Sequence, residues 1–492
     1  MNIKETIKNV ISNPKAFLLH NLGTKQTIAK NTFWLAVAEG ITRFLKLFLI
    51  IYVARILGAT EYGKFTFALA FVSLFAIFSD FGISTIAIRE IAREKQKEKE
   101  FPAFLSLKIV LSIGTLVLIC VGSFFVTVDP LIRGIIWILG IYIVISSFAS
   151  IIYAFFHSRQ KMEYEAWAKI LQSIIVTSAG FFILFNFPSV QNLSLVYLLA
   201  AISALIFILI IFNFKICSLR LDFDKKIWKN VLILSWPLAL GGAMGSICAN
   251  TDSIMMGYWG QIKDTGLYNA SQRVVAVALI PTGLIASSFF PALSKFLGES
   301  KEKLQKSWNY FMEIMIFLSI PLIIGGIALA SKIIDLVYDP SYFPSILAFQ
   351  ILIVMGGIVI LGIPFTQVLV ISNQQKKTFW IVIFGAILNV ILNLILIPKY
   401  SLYGAAIASL IAGLLMFCLS FIFTLKFTSI FPINLKLIST FLIVFISSIF
   451  MYLVISFPNI YNLYIIYIIL IGVLVYFLSF FILKKVLNYF IK

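Results

Sequence analysis

Apolar residues in this chain fill long, nearly unbroken runs, and the polar residues collect in short gaps between them. From Asn31 onward there are fourteen such runs, about 31–57, 62–88, 102–128, 131–157, 164–187, 191–214, 230–258, 266–292, 308–329, 345–372, 378–397, 402–425, 434–456 and 460–483. Each matches the roughly 20 residues that a helix needs to cross the hydrocarbon core of a bilayer. Without water inside the core, every peptide group must be satisfied within its own segment, so the pattern predicts fourteen transmembrane α-helices. The odd-to-even connections are the shortest, which makes neighbouring spans helical hairpins.

Composition narrows the class further. Of 492 residues, 61% are apolar and 12% charged, too little polar surface to cover a soluble globule of this size. No polar stretch exceeds about 30 residues, so a large aqueous domain is excluded as well. The four cysteines are scattered and the only histidines are His20 and His157, which leaves no metal site of the His/Cys type.

The net charge of +19 matters through its placement. With fourteen spans, 29 of the 39 lysines and arginines fall on the side that holds both termini and only 5 on the other. A missed span would invert the bias beyond it, and nothing inverts. Both termini are therefore expected in the cytoplasm and the protein in the cytoplasmic membrane. Residues 1–30 mix Lys4, Lys8, Lys15, Lys25 and Lys30 with isolated apolar residues and lack a signal-peptide core, which suits an amphipathic segment on the cytoplasmic membrane surface. Binding of nucleic acid is not expected from this charge.

Two hairpins share a turn pattern. Gly58 and Gly63 after the first span recur as Gly260 and Gly266 after the seventh, at offsets of 202 and 203 residues, each followed by an aromatic at Phe65 or Tyr268. Six helices separate the two, so the halves share one orientation and form a parallel repeat. Glycine at these turns allows a positive φ. The expected organisation is an amphipathic segment at 1–30, a six-helix lobe at 31–214, a basic cytoplasmic linker at 215–229, a second six-helix lobe at 230–425, two further helices within 434–483 and a cytoplasmic tail at 484–492.

Charges inside spans cost several kcal/mol unless they are paired or face a cavity, so each is a functional candidate. Glu39, Arg43 and Lys46 lie on one face of the first span, with two cations against one anion. Asn250, Thr251 and Asp252 interrupt the seventh span, and Ser271, Gln272 and Arg273 the eighth. Counted from the outer ends, Asp252 and Arg273 reach similar depth, which either pairs them in a salt bridge or places both against a cavity. Arg43, Lys46 and Arg273 are candidate anion ligands, Glu39 and Asp252 candidate ion-coupling sites, and Asn250, Gln272, Asn389 and Asn393 candidate polar lining. Asp80 reads as a helix-end charge. Pro237, Pro281, Pro321 and Pro364 interrupt the hydrogen-bond ladders of their spans.

These residues resemble the polysaccharide exporters and Wzx-type O-antigen flippases of the multidrug/oligosaccharidyl-lipid/polysaccharide (MOP) superfamily. The resemblance runs over nearly the whole chain, through Tyr52-Val53-Ala54-Arg55-Ile56-Leu57-Gly58 with Tyr62-Gly63, Phe81-Gly82 with Arg89-Glu90, and Asn250-Thr251-Asp252-Ser253 with Gly266-Leu267-Tyr268. It is most specific in Leu388-Asn389-Val390-Ile391-Leu392-Asn393 through Pro398, leading to Tyr403-Gly404. Ser401 departs from it, because a glycine often stands there. The resemblance implies an all-α, MATE-like bundle of two pseudo-symmetric six-helix lobes plus two C-terminal helices, working by alternating access. It implies a substrate too: an isoprenoid-pyrophosphate-linked oligosaccharide, moved from the cytoplasmic to the outer leaflet for surface polysaccharide biosynthesis. The other partners implied are membrane lipids and polysaccharide-assembly proteins. No cofactor is expected beyond a coupling H+ or Na+, and the chain is expected to be a transporter rather than an enzyme. A cation-coupled multidrug exporter of the same superfamily is the alternative, disfavoured by the net positive intramembrane charge. A membrane-embedded glycan polymerase or ligase would need a longer outer loop than residues 330–344 and a better acid pair than Asp335 and Asp339.

Overall fold

The computed structural model describes residue 21 and residues 23–215, 220–432 and 434–491. The first twenty residues of the expected amphipathic segment, Cys217 in the basic linker and Lys492 of the tail lie outside the described residues. Among the described residues all regular structure is helical. In chain order the helices are α1 (Thr24–Asp80), α2 (Ile83–Arg93), α3 (Phe101–Val126), α4 (Pro130–Ser158), α5 (Glu163–Asn186), α6 (Val190–Lys215), α7 (Lys225–Tyr258) and α8 (Ile262–Ala278). They continue as α9 (Ile280–Glu299), α10 (Lys301–Ala328), α11 (Ala330–Val337), α12 (Ser345–Ile371), α13 (Gln375–Phe427), α14 (Leu435–Ile455), α15 (Pro458–Tyr461) and α16 (Ile465–Ile491).

Twelve segments are long and apolar enough to cross a membrane. Two of them are double. A straight helix of 57 residues, the length of α1, would run about 85 Å, nearly three times the hydrocarbon core. Gly58, at φ 73° and ψ 170°, breaks α1 into two pieces of spanning length, and Ser401, at φ 49° and ψ −125°, does the same for α13. The expected fourteen spans result.

Two spans that read as unbroken are interrupted. Phe81 and Gly82 both take left-handed backbone, at φ 48° and 77°, and separate the end of α1 from α2. A side chain at Gly82 would also stand 3.0 Å from Leu238 Cβ and 3.2 Å from the Ser235 carbonyl, so position 82 has two reasons to lack one. The eighth span divides at Leu279 into α8 and α9, with Pro281 in the first turn of α9, where its missing N–H is not needed. Pro237, Pro321 and Pro364 remain inside continuous helices.

The chain forms two compact units, residues 1–250 and 251–492. The first holds α1 to α6 and most of α7. It is centred on Phe101, Phe104, Phe155, Phe156 and Phe212, packed against Ile83, Ile86 and Ile151. The early part of α7 belongs here because it packs on the end of α1: Ser246 donates to the Ser73 carbonyl at 3.1 Å, and Gly242 leaves room for Ile77. The second unit is built on Trp308, Phe311, Met315 and Phe365, and the C-terminal helices join the same core through Val444, Met451, Ile455, Ile468 and Tyr476. The repeat is visible in the backbone. Gly58 and Gly260 stand at φ 73° and 75°, at the matching turn of each half.

Candidate functional site

In the first unit the polar face of the first span is present as a local ion pair. Arg43 Nε donates to Glu39 Oε1 at 2.6 Å, one helical turn away, with both side chains about half exposed. Glu39 and Lys46 line a cavity of about 240 Å³ together with Thr42, Tyr142, Lys169 and Gln172. A second cavity, of about 350 Å³, shares Tyr142, Lys169 and Gln172 and extends to Ser84, His157 and Glu165. Glu165 is held between Lys169, at 2.6 Å, and the His157 ring. One hydroxyl at these cavities, Thr177 Oγ1, is buried without a hydrogen-bond partner among the described residues. The lining thus combines both signs of charge with hydroxyl, amide and aromatic groups.

Two further ion pairs, one buried and one with a fully buried lysine, stiffen this unit. Lys108 has no exposed side-chain surface and meets the carboxylate of Asp80, with the hydroxyls of Ser84 and Ser150 at 3.3 and 3.2 Å. Asp80 is the last residue of α1, as a helix-end charge should be, but it turns inward to a cation on α3. Lys30 donates to Glu163 at 2.9 Å and to Asn21 Oδ1 at 2.7 Å, with 1% and 5% of the paired side chains exposed. In sequence Lys30 passes for one more solvated lysine. Lys108 carried a signal, since an ammonium seven residues inside an apolar run requires a partner.

In the second unit three helices converge on Asp252, which is 4% exposed. The Tyr268 hydroxyl from α8 and the Ser409 hydroxyl from α13, the latter at 2.7 Å, both donate to its Oδ2. Asn393 Nδ2 donates to its Oδ1 at 2.5 Å and to Asn389 Oδ1 at 3.1 Å. No cation pairs with this carboxylate among the described residues. One acceptor beside it, Asn393 Oδ1, is buried and has no partner among the described residues. The arrangement is therefore a buried acid satisfied by neutral donors, with a spare oxygen next to it. Such a site suits a proton or a small cation, which would supply the missing positive charge.

Asp252 and Arg273 do not pair. The eighth span begins at Ile262, four residues earlier than the apolar pattern shows, because Thr265, Gly266 and the charges before them are already helical. Asp252 and Tyr268 each stand eight residues from Gly260, so the turn sets them opposite each other, and Asn269 Nδ2 likewise reaches Ser253 Oγ at 2.8 Å. Arg273 lies about five residues deeper, roughly 7.5 Å along the helix. Its Nε is buried with no acceptor among the described residues. Gln272 beside it makes no side-chain hydrogen bond among the described residues, while Asn250 spends its amide on Ser246, at 2.9 Å. Of the sequence-derived candidates, Asp252, Asn389 and Asn393 come together, as do Glu39 and Arg43. Ser409 is a partner that the sequence did not single out, since it reads as ordinary helix-face polarity, and Tyr268 was singled out only as the aromatic after the hairpin turn.

The sequence profile of the family described as polysaccharide biosynthesis protein matches residues 28–297. The chain is 21% identical over 391 residues to the capsular polysaccharide biosynthesis protein CapF of Staphylococcus aureus, covering 77% of this chain and 95% of that protein. It is also 21% identical over 390 residues to the probable low-salt glycan biosynthesis flippase Agl15 of Haloferax volcanii, covering 78% and 80%. Among solved structures, the lipid II flippase MurJ in an inward closed conformation superposes with a TM-score of 0.75 at 20% identity, covering 92% of this chain and 99% of MurJ.

Proposed function

The chain belongs to the polysaccharide biosynthesis protein family, and from that premise we propose that it is a multi-pass membrane flippase of the MOP superfamily that carries an isoprenoid-pyrophosphate-linked oligosaccharide across the cytoplasmic membrane by alternating access. The observation that carries this reading is Arg273, a guanidinium inside a span whose buried Nε lacks an acceptor among the described residues. A cation with an unmet donor at low dielectric is a strong ligand for a phosphate oxygen. Arg43 and Lys46 in the first unit are further candidate ligands of the pyrophosphate. Gln272, Asn250, Asn389 and the hydroxyl-rich cavities of the first unit suit sugar hydroxyls.

The Asp252 cluster is the proposed coupling site for H+ or Na+, with Glu39 as a second candidate acid. The six-helix lobes 31–214 and 230–425 are the proposed moving bodies, joined by the linker 215–229, with both termini in the cytoplasm. Polysaccharide-assembly proteins are the proposed partners.

The test is reconstitution in liposomes with a fluorescent lipid-pyrophosphate oligosaccharide, scoring protein-dependent loss of label from one leaflet. Wild type should move the lipid and Arg273→Ala should lose at least tenfold in rate while folding normally. No movement under pH or sodium gradients with several glycans, alongside export of cationic drugs, would overturn the proposal.

A further inference from the structure

The C-terminal helix pair creates a cleft that the transport reading does not use. It lies in the second unit between α10, α14 and α16, with a volume of about 190 Å³. One wall is apolar, formed by Ile314, Phe317, Ile443 and Phe480, and the opposite rim carries Tyr310, Glu313, Lys436 and Lys484. Glu313 is largely buried and takes Lys436 as its partner at 2.6 Å. Lys484 has no acidic partner among the described residues; its ammonium sits 5.5 Å from the centre of the Phe480 ring. The Tyr310 hydroxyl makes no hydrogen bond among the described residues.

These groups sit at one level of the bundle. Lys436 is in the first turn of α14, Lys484 is near the end of the span Ile465–Leu487, and Tyr310 is in the early part of α10. Four crossings, by α10, α12 and the two halves of α13, separate the start of α10 from the start of α14, and two more lead to the end of α16, so all three helix ends lie on the same face. The cleft is thus apolar where hydrocarbon begins and basic where headgroups lie. Lysines at such depth extend their ammonium toward the headgroup layer and leave their stems on apolar surface.

Charge complementarity selects the occupant. Glu313 cancels Lys436, and Lys484 leaves the cleft with one net positive charge, matched by one phosphodiester. We infer that this cleft binds an anionic glycerophospholipid, its phosphate held by Lys484, Lys436 and Tyr310 and its acyl chains lying along Phe317, Ile443 and Phe480. A choline headgroup would bring its own cation to a rim whose carboxylate is already taken. Basic pockets between transmembrane helices are established lipid-headgroup sites in general. The site is independent of the transported substrate, and it would fasten α14 and α16 to α10 beside the contact in which Tyr476 donates to the Phe317 carbonyl at 2.8 Å.

The experiment uses the full chain in nanodiscs of phosphatidylcholine, alone or with one third phosphatidylglycerol, and reads the thermal unfolding midpoint; native mass spectrometry identifies the lipids that stay bound. Phosphatidylglycerol should raise the wild-type midpoint by several degrees and be retained in preference to phosphatidylcholine. Lys484→Gln should weaken retention about fivefold and lose most of the rise, whereas Lys484→Arg and the neighbouring Lys485→Gln should keep it. The inference fails if wild type shows no preference for phosphatidylglycerol, a result that needs no variant to fold. It fails equally if Lys484→Gln keeps the full rise, or if millimolar inorganic phosphate produces the same rise in phosphatidylcholine discs, which would make the ligand a free ion.

Discussion

Asn393 places its amide 2.5 Å from the Asp252 carboxylate across 141 residues of sequence, so a donor from the eleventh span holds an acid from the seventh. A carboxylate with neutral donors alone keeps its charge only at a desolvation cost that a proton or metal cation would remove. That property gives the first prediction. Asp252→Asn, nearly isosteric, should leave a folded protein whose lipid transport no longer accelerates under an imposed pH or sodium gradient. A gradient response equal to wild type in liposomes would remove Asp252 from the coupling role.

The Lys108–Asp80 pair predicts a non-additive stability pattern. Asp80→Leu alone strands the fully buried Lys108 ammonium and should cost about 3–5 kcal/mol, and Lys108→Met, which leaves a carboxylate that is 31% exposed, should cost less. The double variant replaces both charges with apolar groups and should recover most of that loss. Thermal unfolding of the three variants in one detergent checks the order, and additive losses would show that the two residues act independently.

Ser401 offers a test of strain against hydrogen bonding. Its φ of 49° disfavours any side chain, yet its hydroxyl reaches Gln261 Oε1 at 2.9 Å and the carboxylate of Asp264. Ser401→Ala keeps the strain and loses both contacts, whereas Ser401→Gly loses the contacts and relieves the strain. The glycine variant should therefore unfold later than the alanine variant, by roughly 1 kcal/mol. The reverse order would mean that the backbone at this bend carries no strain.

Glycine-to-alanine substitutions should separate turn conformation from close packing. Gly58 and Gly260 have positive φ and open space around them, so each should lose about 1–2 kcal/mol, by similar amounts in the two halves. Gly82 adds the contact with Leu238 and the Ser235 carbonyl, and Gly82→Ala should lose more. Unfolding midpoints of the three single variants give the ranking directly.

The number and order of spans were legible because apolar run length is a property of the sequence alone, and the hairpin glycines because a positive φ selects their residue type. The breaks at Phe81 and Leu279 were not, since neither residue interrupts the hydropathy of its span. Among site residues, Asn389 and Asn393 announce themselves by their i, i+4 spacing on an apolar helix. Their partner Ser409 does not, because a serine hydroxyl on a helix can satisfy itself on the preceding turn, and Tyr268 announces only the turn before it. Arg273 was misplaced in depth for a similar reason: polar residues at the start of α8 look like loop, and their helical state moves it almost a turn and a half away from Asp252.

The turn at Gly260 has arms of equal length, eight residues to Asp252 and eight to Tyr268. An insertion or deletion of one residue in either arm would rotate everything beyond it by about 100° and lift it 1.5 Å, turning the phenol away from the acid. Length changes in this hairpin are therefore tolerable only as matched pairs, one in each arm, and a library of such indels should yield folded survivors along that diagonal alone.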